Sequence, residues 1–208
     1  MRFTLRYSGE DLKSSGNSQS RTYEKQVLRE HFHGQLERLW ETNNALREID
    51  RTQLSEPVQR GPVWDVGDET IPLRAMPLAG FMYRRKIHTS YYVPLVTPRM
   101  EASCHLALRF GRPFKPGNII FQGGDLDGRI KTLFDALAVP RDDRQVTQED
   151  CKLPEYLCLL GEDSLITGLS VESYQLLEQR PENYCEIDMA VTITAVTPMQ
   201  GTLLLLFG

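Results

Sequence analysis

The run from Tyr23 to Asp50, YEKQVLREHFHGQLERLWETNNALREID, places Leu28, Phe32, Leu36, Leu39, Leu46 and Ile49 at three- and four-residue steps, with one longer gap. That spacing predicts an amphipathic α-helix, broken near Asn43 and Asn44 where the pattern skips. A helix with one apolar stripe must bury it against a second layer. The rest of the chain offers that layer as strands. RFTLRY near the N-terminus alternates polar and apolar residues, and SCHLALRF (103–110) sets Cys104, Leu106, Leu108 and Phe110 on one face. YYVPLV (91–96) predicts a short strand, and DSLITGLSVES (163–173) and CEIDMAVTITAVT (185–197) predict two more.

Two stretches lack periodicity. Residues 52–82 carry Pro57, Pro62, Pro72 and Pro77, yet Trp64, Ile71 and Leu78 need burial, so the segment reads as an irregular excursion and not a linker. Residues 138–161 read as a second irregular insertion. The 208 residues therefore predict one α+β domain, a mixed sheet of about four or five strands packed against two main helices.

Composition narrows the class. At 40% hydrophobic and 25% charged, the chain has the balance of a soluble globular protein. Its first residues do not resemble a signal peptide, and LLLLF (203–207) is too short to span a bilayer, so a cytoplasmic protein without membrane contact is expected. The four cysteines are scattered; the nearest pair, Cys151 and Cys158, has six residues between its members, which is not zinc-site spacing. Buried, reduced thiols are expected. His31 and His33, two apart on a helix, should face different ways and do not make a metal pair.

The formal net charge of −4 does not suggest a nucleic-acid binder, but its distribution is uneven. Residues 81–131 hold nine Lys or Arg and three acids, a balance of +6; residues 132–208 hold four basic and thirteen acidic residues, a balance of −9. A basic block around an acidic pair could draw phosphates to a metal, or could be a solvated face. Arg84, Arg85, Lys86, Arg112, Lys115 and Arg129 are its candidates for contacting DNA.

Inside that block lies GGDLDGRIKTLFDAL (123–137). Ile130, Leu133, Phe134 and Leu137 follow helical spacing, which puts Asp127 at a helix start, where an aspartate caps free N–H groups for roughly 1 kcal/mol. A cap does not explain Asp125. Two carboxylates two residues apart in extended chain project to one side and repel unless a cation lies between them. Lys131 follows one turn later on the same flank. A calcium loop is excluded, because Arg129 and Ile130 stand where its third ligand and its glycine belong. A haloacid-dehalogenase-like phosphatase, whose aspartate motif follows a hydrophobic strand, is an alternative; against it, Gln122, Gly123 and Gly124 intervene after NIIF, and Arg129 stands where its threonine belongs.

The series Asp125, Leu126, Asp127, Lys131, Phe134, Asp135, Ala136, Leu137 resembles the RusA family of Holliday-junction resolvases. In that family the motif is followed by an acidic pair opening a strand, then by a final strand; GEDSLITGLSVES and EIDMAVTITAV keep that order. With the first strand and the helix from Tyr23, the resemblance covers roughly 120 residues. It implies an α+β homodimer that cuts four-way DNA junctions with Mg²⁺, or Mn²⁺, held by three aspartates and assisted by a lysine. On this chain these are Asp125, Asp127 and Asp163 as metal ligands and Lys131 as the basic partner. RDDRQV (141–146) offers Asp143 as a rival third ligand; Asp163 is preferred because a clear strand follows it. A catalytically silent RusA-like protein that binds DNA or serves assembly is the alternative.

Overall fold

Asn43 divides the long helical run where the apolar pattern skips. Its backbone is extended (φ −84°, ψ 118°), and its Oδ1 accepts from the N–H groups of Ala45 and Leu46 at 3.0 and 3.1 Å. It thus separates α1 (Ser18–Thr42) from the short α2 (Asn44–Arg47) and caps the latter. Leu28, Phe32, Leu36 and Leu46 of the expected stripe are buried, while Leu39 and Ile49 pack against the same core from its rim. The computed structural model from which this is read describes residues 1–10, 12, 18–57, 78–100, 102–113 and 126–195.

The strands are β1 (Arg2–Glu10), β2 (Arg85–Ile87), β3 (Ser90–Val96), β4 (Ala102–Arg112), β5 (Glu155–Leu160), β6 (Ile166–Gln175) and β7 (Tyr184–Ala195); a third helix, α3, spans Leu126–Leu137. They form not one sheet of four or five strands but two mixed sheets. The larger runs β1-β7-β4-β6, with β4 and β6 parallel and the other pairs antiparallel. The smaller runs β2-β3-β5, antiparallel then parallel. The α+β class expected from the sequence holds, with seven strands and three helices among the described residues.

The extra sheet has a physical cause. One face of β3 and β5 supplies Val93, Leu95, Leu157 and Leu159 to the main core. The other buries Tyr92, Tyr156 and Cys158 with Ile87, Val139 and Val146 in a second cluster. The Tyr92 and Tyr156 rings, on paired positions, stack with centroids 5.2 Å apart. Residues 138–161 are therefore corrected: they are not simply irregular, because they contain β5, and residues 139–153 cover the second face of its sheet. Pro94 is tolerated in β3 because β2 pairs only with residues 90–92, so its missing N–H interrupts no β2–β3 bond. Of the first proline-rich stretch, residues 58–77, with Trp64 and Ile71, lie outside the described residues; Leu78 is buried.

Cys104, Cys158 and Cys185 are buried and all four cysteines are free thiols; burial pushes the Cys104 and Cys158 thiols up to about 12. On the face of the larger sheet opposite its core side, one rung alternates in sign across four strands: Arg6, Asp188, Arg109, Glu172. Arg6 meets Asp188 at 3.1 Å and Arg109 meets Glu172 at 3.2 Å. Among the described residues no helix is long and apolar enough to cross a membrane.

Candidate metal and nucleic-acid site

Helix α3 begins at Leu126, so Asp127 stands inside its first turn and not at the cap. Its carboxylate is still favoured there by the positive end of the helix dipole. Asp125 precedes the helix directly and lies outside the described residues. Lys131, one turn beyond Asp127, is exposed, as is Asp127. The opposite flank is held inside: Leu133, Ala136 and Leu137 are buried, and Ile130 and Phe134 pack against the core.

The other end of α3 is fastened by α1. Arg29, 2% exposed, donates to the carbonyl oxygens of Asp135 at 2.7 Å and Ala138 at 3.4 Å, and to Gln26 Oε1 at 3.2 Å. A guanidinium at a helix C-terminus satisfies carbonyls that lack intrahelical donors and complements the negative end of the dipole. Lys25 adds an ion pair to Asp135 at 2.6 Å. These contacts fix the helix that carries Asp127 and Lys131.

Asp163 opens the short turn Asp163–Leu165 that leads directly into β6, and that turn packs against α3 and β4. Its approach is set by Gly161: the Gly161 N–H donates to Val96 O at 2.8 Å, and a Cβ at this position would stand 2.5 Å from the Tyr83 hydroxyl. The Asp163 carboxylate is half-buried and meets the Arg141 guanidinium at 2.8 Å. Asp163 is thus tied to the chain just beyond the C-terminal end of α3, where Ala138 bridges Leu160. Asp127 is eleven residues before Ala138, about 16 Å along a straight helix axis.

Asp143 is exposed on the turn Asp143–Gln145. That turn is pinned from both sides. Asp142 caps it by accepting from Arg144 N, and Gln145 Oε1 accepts from Arg141 N at 2.9 Å. Arg85 donates to the carbonyls of Pro140 and Arg141 at 3.2 and 3.4 Å, while the His88 ring nitrogen Nε2 reaches those of Asp143 and Val146 at 3.3 and 3.0 Å. His88 holds this position at φ 51°, in the left-handed region that residues other than glycine seldom enter, histidine being among the more tolerant.

The basic candidates divide by position. Lys86 is exposed, and Arg84 lies 4.3 Å from the centre of the Tyr91 ring. Arg85 is half-buried and engaged with the 140–141 carbonyls. Arg112 and Arg129 are 5% and 3% exposed, and that burial does not favour them as contacts to a duplex backbone. Lys115 lies outside the described residues. Sequence reasoning missed Arg141 and Arg29, since neither belongs to a periodic pattern and each acts on a segment distant in the chain.

The donor set proposed for magnesium is carboxylate only, which suits a hard cation, and Asp163 already holds a cationic partner. Among the described residues no three His, Cys, Asp or Glu side chains cluster as a metal site; Asp125 is not among those residues. Comparison with protein-family models, curated proteins and solved structures finds no match for this chain.

Proposed function

We propose that this chain is a magnesium-dependent, structure-selective endonuclease acting on branched DNA as a cytoplasmic homodimer, in the manner of the RusA-like resolvases its motif resembles. What supports this is the order of elements that the motif keeps: Asp127 in the first turn of α3, then the turn Asp163–Leu165, which packs against α3 and opens β6. The Arg141 pair seats Asp163 near the C-terminal end of α3 and not beside Asp127. The order of acidic helix start, acidic turn, strand and final strand is kept, with β6 parallel to β4. The mixed sheets do not favour the phosphatase alternative, which calls for a large parallel sheet.

When bound, magnesium supplies Lewis-acid polarisation of the scissile phosphodiester and assists formation of the attacking nucleophile. Asp125 and Asp127 would hold it; Asp163, the third ligand that the resemblance implies, is tied by Arg141 near the other end of α3. Lys131, exposed one turn from Asp127, offers a cation toward charge that develops on the phosphate. Arg84 and Lys86 would meet the DNA backbone as positioning contacts.

The deciding experiment is cleavage of a synthetic four-way junction with magnesium, with a linear duplex of the same sequence as control. Metal-dependent cutting of the junction alone supports the proposal. Binding without cutting would transfer the chain to the catalytically silent alternative. Light scattering should report a dimer at micromolar concentration; a monomer would make paired cuts across a junction implausible.

A further inference from the structure

We propose that the cavity between α1, α2 and β5, with the Tyr91 ledge beside it, seats one unpaired nucleotide of DNA, the base in the cavity and the phosphate on Arg84 and Lys86. The proposal rests on the branched-DNA reading above for where an unpaired nucleotide is met, but it needs neither metal nor cleavage. Arg84 and Lys86 come to one ring: the Arg84 guanidinium carbon lies 4.3 Å from the centre of Tyr91, and Lys86 Nζ lies 5.8 Å from it. Lys86 and Tyr91 are register partners across the β2–β3 pair. Among the described residues neither cation has an ion pair. Two like charges gathered over one π face, with no carboxylate between them, suit an anion such as a phosphate. Next in register to Tyr91 is Glu155, which pairs with Arg51 at 2.9 Å; Arg51 in turn lies 5.5 Å from the centre of the Trp40 ring. Glu155, Arg51 and Trp40 line a cavity of about 290 Å³. That is the small end of ligand pockets, room for one planar group and not for a duplex. The charges of its lining nearly balance, Arg47 and Arg51 against Glu41, Asp50 and Glu155. Such a lining suits a neutral base better than a phosphate. Trp40 is 3% exposed, and its indole N–H has no acceptor among the described residues. It offers a donor and Glu155 an acceptor, and the edge of a base carries the complement of both.

The test reads DNA binding by the full chain in EDTA, by fluorescence anisotropy. Three duplexes are compared: one fully paired, one with a single extra nucleotide, and one whose extra nucleotide lacks its base. The extra nucleotide should tighten binding about tenfold, the worth of seating one base, and removing that base should abolish the gain. Thr52→Trp, an exposed change that fills the cavity, should lose the gain and keep affinity for the paired duplex. Arg84→Gln with Lys86→Gln should weaken binding to all three and flatten its salt dependence. Trp64→Phe leaves Trp40 as the one tryptophan, whose emission should shift only with the duplex that carries the extra base. Circular dichroism confirms that each variant is folded. If the extra nucleotide binds no tighter with its base than without, or Thr52→Trp keeps the gain, the cavity holds no base and the proposal is overturned. Binding of a four-way junction by the same protein would then leave the branched-DNA reading standing. If neither the junction nor any of the duplexes binds, that reading falls with the proposal.

Discussion

The side-chain amide of Gln35 pairs with both main-chain groups of Arg6: its Oε1 accepts from the Arg6 N–H at 2.9 Å, and its Nε2 donates to the Arg6 carbonyl at 2.6 Å. His31, one turn earlier, also reaches that carbonyl, at 2.9 Å. An amide in this position copies what a neighbouring strand would provide. Strand β1 is the edge of the larger sheet, and an open edge invites pairing with other chains. Replacing Gln35 by Leu should lower stability by about 1 kcal/mol in urea titration, because water can reach the freed groups. It should also increase self-association at high concentration, read by light scattering. Unchanged stability and association would show that the pairing contributes nothing.

His33 does the same service for the other sheet. Its Nδ1 accepts from the Leu157 N–H at 3.0 Å, on the edge strand β5. Burial holds its pKa below the usual imidazole value of 6.5. Protonation removes the acceptor, and the unfolded chain takes up the proton more readily than the native one. The stability from this group is therefore complete above about pH 6.5 and fades as pH falls through the lowered native value. Urea titrations at about pH 7.5 and pH 5 should show the loss. In His33→Asn, which keeps an acceptor but cannot titrate in this range, the loss should be smaller; an identical pH slope would assign the effect elsewhere.

Arg29→Met should be the most damaging of these changes, costing about 2–4 kcal/mol, since it leaves buried carbonyls of Asp135 and Ala138 without their donor. Lys25→Met, which removes a partly exposed ion pair to the same helix, should cost about 1 kcal/mol or less. Amide exchange in the last turn of α3 should quicken in the first variant and scarcely in the second. Equal effects would mean that the helix is not anchored through Arg29.

Asp127→Asn should abolish magnesium-dependent junction cleavage while lowering stability by no more than about 1 kcal/mol, the worth of one charge in a first helical turn. Circular dichroism and a junction assay read the two effects separately. Full retained cleavage would remove Asp127 from the proposed metal set.

What the sequence revealed follows from geometry that is local. The α1 stripe, the break at Asn43, and β1, β4 and β7 were legible because each puts one face in the core and one outside, leaving a period in the residues. In β6 the first three residues of the expected strand became the turn Asp163–Leu165. Strand β5 left no such trace: EYLCLL is buried on both faces, and a short apolar run without alternation follows a polar turn. The same limit hid the partner of Asp163. That aspartate could be proposed from the strand after it, but Arg141 comes to it only because Arg85 and His88 fold the 140–146 turn back.

The rung Arg6, Asp188, Arg109, Glu172 changes what the uneven charge along the chain means. Arg109 belongs to the basic block of the sequence and Glu172 to the acidic one, yet they share an ion pair. Plus and minus set side by side cancel within a strand spacing, well inside the screening length of about 8 Å at physiological salt. A polyanion diffusing toward this rung would feel neither pull nor push until contact. On the proposed reading, electrostatic guidance of DNA would come from elsewhere on the molecule, and removing Arg109 alone should alter the salt dependence of any DNA binding very little.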